Sequence, residues 1–530
     1  VSGAAATAGR LGAAPAFQVV PHRALITVCA MIATLMQALD STIANVALPY
    51  MQGSLSATSD QITWVLTSYI VAAAIMTAPV GWMAARFGRK NLFVACLIGF
   101  TAASMLCGVA QSLPQMVLFR LLQGVFGAAL VPLSQAVMLD IYPPAQRGSA
   151  MAVWGIGVMV GPILGPTLGG YLTDVYNWRW VFFVNLPFGI LAIAGMMIFM
   201  PRAARNQTLK FDWTGFSVLA LGIGAFQMML DRGQDKDWFG SYEIITEAVL
   251  AGLGIYLFLV HLMTAEKPFI SPKIFKDRNF SASLVMMFAV GVVLLATSAL
   301  LAPWLQTLGD YPVATAGLVM APRGIGTMAA MMISGRLSSR VDPRYLMGLG
   351  LVLLVWSLYA ATGWTPEVSA TRLILTLMVQ GAALGFVFIP LQVVAFATLA
   401  PAYRTDGTSL LSLLRNVGSA IGVSVTSAML AHNVQVLHSE LGSYVNPFNR
   451  SLQVGGAVSK FLDPHTSGGA QLLNAMVNNQ AQIIAYNDDY KLMMLSTLPT
   501  ILLLFVMRRP NAAPKAAASG DDHAHAAVME

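Results

Sequence analysis

Long apolar runs, each of about twenty residues as a bilayer-crossing helix requires, alternate with short polar segments along nearly the whole chain. The first, from about Ala24 to Leu48, is polar on one side only: Thr34, Gln37, Asp40, Ser41 and Asn45 recur at helical spacing and share a face. A carboxylate at that depth costs about 3 kcal/mol on insertion scales, so it turns toward a bundle interior or a wet cavity. The pattern predicts a helix lining a solute path with Asp40 on its polar face. The simpler alternative makes Asp40 an anchor that holds a neighbouring helix through a buried ion pair.

Fourteen such runs are predicted as helices, at about 24–48, 60–82, 92–110, 115–139, 149–172, 180–200, 213–230, 243–263, 281–306, 313–334, 346–363, 371–400, 408–431 and 490–507. The expected fold class is therefore an all-α membrane protein. An even number of spans puts both termini on one side. With that side cytoplasmic, twenty Lys and Arg fall in cytoplasmic segments, seven in external loops and three inside spans, as the positive-inside rule requires. The first run is too long for a signal peptide and lacks a cleavage site. Residues 1–20 and 508–530 read as disordered cytoplasmic tails rich in small residues. One external segment, 432–489, is long, and its apolar stretches Ala470 to Val477 and Gln482 to Tyr486 predict a short amphipathic cap.

Composition narrows the class. Hydrophobic residues make up 57% of the chain and charged residues only 10%, which excludes an ordinary soluble protein of this length. The net charge of +7 follows from the cytoplasmic loops and does not imply nucleic acid. Cys29, Cys96 and Cys107 lie inside apolar runs without metal-ligand spacing, and the seven histidines are scattered. No metal, cofactor or enzymatic chemistry is indicated. A membrane-embedded lipid enzyme would need clustered acids or histidines, and a receptor would need a larger external module.

The chain also repeats itself. Gln123-Gly124, Gly127, Pro132-Leu133 and Gln135 recur as Gln380-Gly381, Gly385, Pro390-Leu391 and Gln392. Gly81 to Arg86 likewise recurs as Gly335 to Arg340. This divides the chain into a six-helix bundle at 21–200, two extra helices with linkers at 201–280, and a second six-helix bundle at 281–507. Parallel repeats of this kind place a substrate site between the halves near the midplane. Several motifs sit on that frame. Gly81, Arg86, Gly88, Arg89 and Lys90 form the loop after the second span, where glycines allow a tight turn. Arg120 lies in the fourth span with no counterpart in the repeat. Gly157, Gly161-Pro162, Gly165-Pro166 and Gly169-Gly170 give the fifth span a small-residue groove with points of bending.

Together with Leu39-Asp40-Ser41-Thr42, these motifs resemble the major facilitator superfamily, in particular its fourteen-span drug:proton antiporters. Pro132-Leu133-Ser134-Gln135, Tyr142-Pro143-Pro144-Ala145, Leu230-Asp231-Arg232-Gly233 and Asn446-Pro447-Phe448-Asn449 are similar to the EmrB subfamily. The resemblance spans about residues 24–507. It implies a multi-pass pump of the bacterial inner membrane that exchanges external protons for lipophilic drugs. A periplasmic membrane-fusion adaptor and an outer-membrane channel are its implied partners. Span five matches the family's antiporter motif. The family's loop motif normally carries an acid where this chain has Ala85, with Ser339 in the second copy, so a latch there would rest on Arg86 and Arg89.

The expected coupling pair is Asp40 with Arg120, because both fall in the external halves of their spans. Candidate substrate contacts are Gln37, Asn45, Trp64, Tyr69, Gln123, Gln135, Gln306, Arg323, Gln380, Gln392 and Arg415; each is equally open to a role in helix packing. Arg323 and Arg415 favour an alternative, a dedicated exporter of one metabolite or fatty-acid-like anion.

Overall fold

Backbone groups inside a bilayer have no water to bond, so apolar runs satisfy them internally as helices. The computed structural model bears this out over the residues it describes, 21–202, 206–446, 462–463 and 465–508, among which no strand occurs. Both tails and the centre of the 432–489 segment, including Pro447-Phe448-Asn449, lie outside the described residues.

The first half comprises α1 (Arg23–Ser54), α2 (Trp64–Thr77), α3 (Val80–Phe87), α4 (Arg89–Val109), α5 (Leu113–Gly127), α6 (Leu130–Ile141), α7 (Arg147–Val175) and α8 (Asn185–Phe199). The extra pair is α9 (Trp213–Arg232) and α10 (Tyr242–Thr264). The second half comprises α11 (Arg278–Thr307), α12 (Val313–Leu337), α13 (Pro343–Ala361), α14 (Ala370–Ala395), α15 (Arg404–Ser443) and α16 (Ser467–Val506). Among the described residues twelve helices are long and apolar enough to cross a membrane, or thirteen if the pair α2–α3, bent by 60°, is one span. Pro79 supplies the bend, since its ring removes a backbone donor. The 29-residue α7, which holds the glycine-rich fifth span, stands outside that count of twelve or thirteen.

Polar caps mark where spans begin. Asp212 accepts a bond from the Gly215 amide at 2.9 Å and Asp277 from that of Phe280 at 2.9 Å. Asp212 also binds His261 at 2.8 Å, tying the two extra helices together. Of the two, α9 lies against both halves: Asp231 accepts a bond from Thr67 on α2, and Ser424 on α15 donates to the Leu230 carbonyl at 3.0 Å.

The 432–489 segment departs from the expected loop. It is mostly two continuous helices, because α15 and α16 each run for 40 residues. At 1.5 Å per residue each is about 60 Å long, roughly twice a bilayer core. Ala470 to Val477 and Gln482 to Tyr486 therefore belong to one long helix and form no separate cap. His438 and Asn474 join the two at 2.9 Å. Within that helix Leu473, Ala485 and Tyr486 are buried while Leu472 and Met476 are exposed, and both apolar stretches are continuous with its transmembrane part.

The halves meet at the face that carries the described chain ends. Gly148 and Gly335 abut there so closely that a Cβ on either would meet the other's carbonyl oxygen at 2.7 Å. Trp154 stacks on Phe388 with ring centroids 6.3 Å apart. Gln135 donates to Gln392, so the two copies of the repeated glutamine bond across the boundary.

Candidate functional site

Asp40 and Arg120 sit inside the first half, each 0% exposed. Arg120 Nη1 donates to Asp40 Oδ2 at 2.7 Å and to Gln123 Oε1 at 2.8 Å. Gln123 Nε2 then donates to Asp40 Oδ1 at 2.8 Å, closing a triangle. Arg120 Nε donates to the Val65 carbonyl at 3.1 Å, and its guanidinium lies 4.3 Å from the centre of the Tyr69 ring. Gln37 holds the Tyr69 hydroxyl at 3.2 Å. Four transmembrane elements converge here: α1 gives the acid, α2 the carbonyl and ring, α5 the cation, and α8 an amide.

That amide, Asn185, is a residue missed from sequence. Its Nδ2 reaches Asp40 Oδ1 at 3.3 Å and Ser104 Oγ at 3.0 Å. It is a polar residue inside the sixth apolar run, and the argument that singles out Asp40 applies to it unchanged. A pair this enclosed repays its desolvation only when the remaining lone pairs and protons are bonded. Here most are, although Arg120 Nη2 and Asn185 Oδ1 have no partner among the described residues.

The polar face of α1 does not line one open path. Thr34 is buried against Ser134 at 2.7 Å, with Trp154 Nε1 donating to Ser134 at 2.9 Å, while Asn45 is exposed. Asp40 faces α5 and α8 in the bundle interior, while α7 packs against another side of α1. The glycine stripe permits that approach: a Cβ at Gly161 would fall 2.7 Å from the Leu39 nitrogen, and one at Gly165 2.1 Å from Thr42 Oγ1. Gly157 and Gly169 also face α1, at Met31 and Ile43, whereas Gly170 faces open space. Pro162 is within the same helix. Gly161→Ala is accordingly expected to lower stability by about 1–3 kcal/mol, the usual cost of overpacking. Gly170→Ala should be nearly neutral. Thermal unfolding of the purified variants compares them, and equal midpoints would refute this account of the stripe.

Other predicted contacts separate into groups. Gln123 and Tyr69 belong to the Asp40 cluster, and Gln135 with Gln392 to the boundary between halves. Trp64 packs under Arg232, 5.2 Å from the ring centre, and Arg232 pairs with Glu243 and Glu247. Gln380 is buried and Gln306 exposed. Arg323 donates to Ser298 and Thr297, each at 2.7 Å, with no carboxylate partner among the described residues. Arg415 is half-buried on α15.

The loop motif finds its acids elsewhere in the chain. Gly88 has φ 86°, a conformation that glycine adopts freely. Arg89 pairs with Asp140 of α6, and Arg404 of the second half reaches the same carboxylate at 2.9 Å. The Asp406 carboxyl packs directly on Gly81, where any Cβ would collide with it. Ala85 is exposed and its carbonyl accepts a bond from the Asn206 amide at 2.9 Å. Arg86 Nη1 is buried without a partner among the described residues, so Arg89 alone of the two expected cations makes an ion pair here. Asp140 and Asp406 belong to no motif in the sequence, and only the packing of the halves brings them to this loop.

Two bundles of spanning helices, the first enclosing a buried ion pair, are the frame of a transporter, and the comparisons give its family. The sequence profile of the Major Facilitator Superfamily matches residues 30–423, and the chain belongs to that superfamily. Within it the chain groups with the EmrB subfamily. It is 35% identical over 468 residues to the multidrug export protein EmrB of Escherichia coli K12, covering 88% of this chain and 91% of the relative. The fatty acid resistance protein FarB of Neisseria gonorrhoeae is 34% identical over 471 residues, covering 88% and 92%. The fold also matches the crystal structure of the human organic anion transporter MFSD10, with a TM-score of 0.56 at 14% identity, covering 90% of this chain and all (100%) of that one. The chain is a multi-pass membrane protein.

Proposed function

We propose that the chain is a proton-driven antiporter that exports lipophilic toxic compounds across the bacterial inner membrane. The observation that carries this reading is the sealed Asp40–Arg120 pair beside the helix α7 whose glycines let it pack on α1. A carboxylate that holds Arg120 when ionised and releases it when protonated gives the first half two arrangements. Export follows if substrate and proton favour different ones. The contacts between halves described above all lie at one face. With both termini cytoplasmic and fourteen spans, as the charge distribution supports, that face is the cytoplasmic one, and the protein is closed toward the cytoplasm.

Substrate contacts fall to groups on the boundary between halves, such as Gln135 and Gln392. The similarity to FarB and the absence of any acid on Arg323 among the described residues favour a second reading, in which the cargo is a lipophilic anion. Uptake of labelled compounds by inverted membrane vesicles tests both. Uptake that requires a pH gradient supports the antiporter, and uptake indifferent to the gradient sinks it. Saturable competition by long-chain carboxylates alone would favour the second reading.

The projecting parts of α15 and α16 suit a periplasmic adaptor that passes cargo to an outer-membrane channel. Deleting Ser443 to Gly469 should then abolish resistance in cells while leaving vesicle uptake intact. Full resistance with the adaptor still co-purifying would rule out docking at this hairpin.

A further inference from the structure

The second half holds a carboxylate that the mechanism above does not use. Asp489 on α16 is 0% exposed, and neither of its oxygens has a hydrogen-bond partner among the described residues. Beside it, three more polar atoms are buried without partners: the Tyr490 hydroxyl, Trp304 Nε1 and Trp364 Nε1. The rings form a chain, with Trp304 5.4 Å from Trp364 and Trp364 5.4 Å from Tyr490. Asn487 fastens α16 to this group by donating to the Trp364 carbonyl at 3.3 Å.

Arg323 belongs to the same region. It is held by Thr297, which lies two helical turns from Trp304 on one face of α11, and its charge acts on Tyr490. The internal repeat reinforces the placement. The register that pairs Gly81 with Gly335 pairs Tyr69, which stacks on Arg120, with Arg323. The last helix of the first half gives Asn185 to the Asp40 cluster, and the last helix of the second half carries Asp489. Each half thus gathers polar groups from its first, second and last spans. In the first half they close on an ion pair, and in the second they remain open.

We propose that Asp489 is a second proton-carrying site of the transport cycle, with Arg323 the cation that it approaches when the proton leaves. A carboxylate anion sealed without counter-ion or hydrogen bond is costly, so the arrangement seen here is that of the neutral acid. Loss of the proton leaves the anion to seek Arg323, or the Trp304, Trp364 and Tyr490 donors, and so draws α16 toward α11 and α12. The titratable groups that act on the site are Asp488, Tyr486 and Tyr490 on its own helix, and Arg323 on α12 reaches it through Tyr490. From α11 and from the turn after α13 come the indoles of Trp304 and Trp364, and α15 adds no charge to it among the described residues. The proton enters from water at the face opposite the chain ends, where α11 and α13 terminate, and binds one carboxylate oxygen.

The proposal rests on the antiport reading for its role, but its chemistry is testable without transport. Infrared difference spectra of the full chain in lipid nanodiscs, titrated with pH, should contain a carboxylic-acid stretch that Asp489→Asn removes. Asp489→Glu should restore it, and Asp40→Asn should keep it. In proteoliposomes loaded to accumulate ethidium, Asp489→Asn should lower the limiting accumulation by about tenfold per unit of imposed pH difference, the worth of one coupled proton. A spectrum unchanged by Asp489→Asn overturns the proposal, as does an accumulation ratio equal to wild type. A stretch assigned to Asp489 together with transport indifferent to Asp40→Asn would instead uphold this site and sink the role given to Asp40.

Discussion

Asp40→Asn is expected to reduce gradient-driven uptake by inverted vesicles to that of vesicles lacking the protein, while the protein still folds and inserts. The substitution keeps one oxygen that can still accept from Arg120, but its amide donors then meet those of Gln123 and Asn185, so one edge of the triangle opens and Arg120 loses its counter-ion. What is lost is the ability to exchange a proton. Downhill movement of substrate should therefore persist, because the halves can still rock without ionisation at this site. Uptake against a gradient at the full wild-type rate would remove Asp40 from the coupling step.

Arg120→Ala should do more structural damage. It removes the cation bonded to a carboxylate that is 0% exposed, leaving Gln123 and Asn185 as its partners among the described residues. Breaking one side of a buried pair costs about 3–5 kcal/mol, because the other charge stays buried. It also strips Tyr69 of the guanidinium against its face. The double variant Asp40→Asn with Arg120→Ala should regain much of the lost stability, since no lone charge remains, yet should not regain transport. Arg415→Ala, on a half-buried residue, is expected to be milder in both respects. Thermal unfolding and vesicle uptake at matched expression check this order. A double variant no more stable than Arg120→Ala would show that the cost lies in packing and not in the stranded charge.

Much of this was legible in the sequence, for identifiable physical reasons. Apolar runs of span length admit only helices in a bilayer, and a lone acid on a polar stripe has few explanations. Asp40 and Arg120 could be paired because their depths along two spans match. The spacing of Gly161 and Gly165 announced close packing, although it did not say that α1 was the neighbour or that the approach lies directly behind Asp40. Partners contributed from distant helices were not legible. Asp406 belongs to the second half but fills the space over Gly81, and Asp140 joins Arg89 to Arg404 only once the halves dock. Asp489 sat at the edge of a predicted loop, because hydropathy averages over the polar residues that begin α16 and hides the helix running through them. Sequence alone offers Gln135 and Gln392 as separate substrate contacts, and only the fold shows that the repeat brings them to each other.

The central claim is that proton and substrate movements are locked together through Asp40. The most direct test reconstitutes the purified chain in liposomes, imposes a gradient of a lipophilic probe with no pH difference, and follows internal pH. The account predicts that wild-type protein moves protons opposite to the probe and that Asp40→Asn passes the probe with no pH change. Probe flow through the wild-type protein without any movement of protons would contradict it.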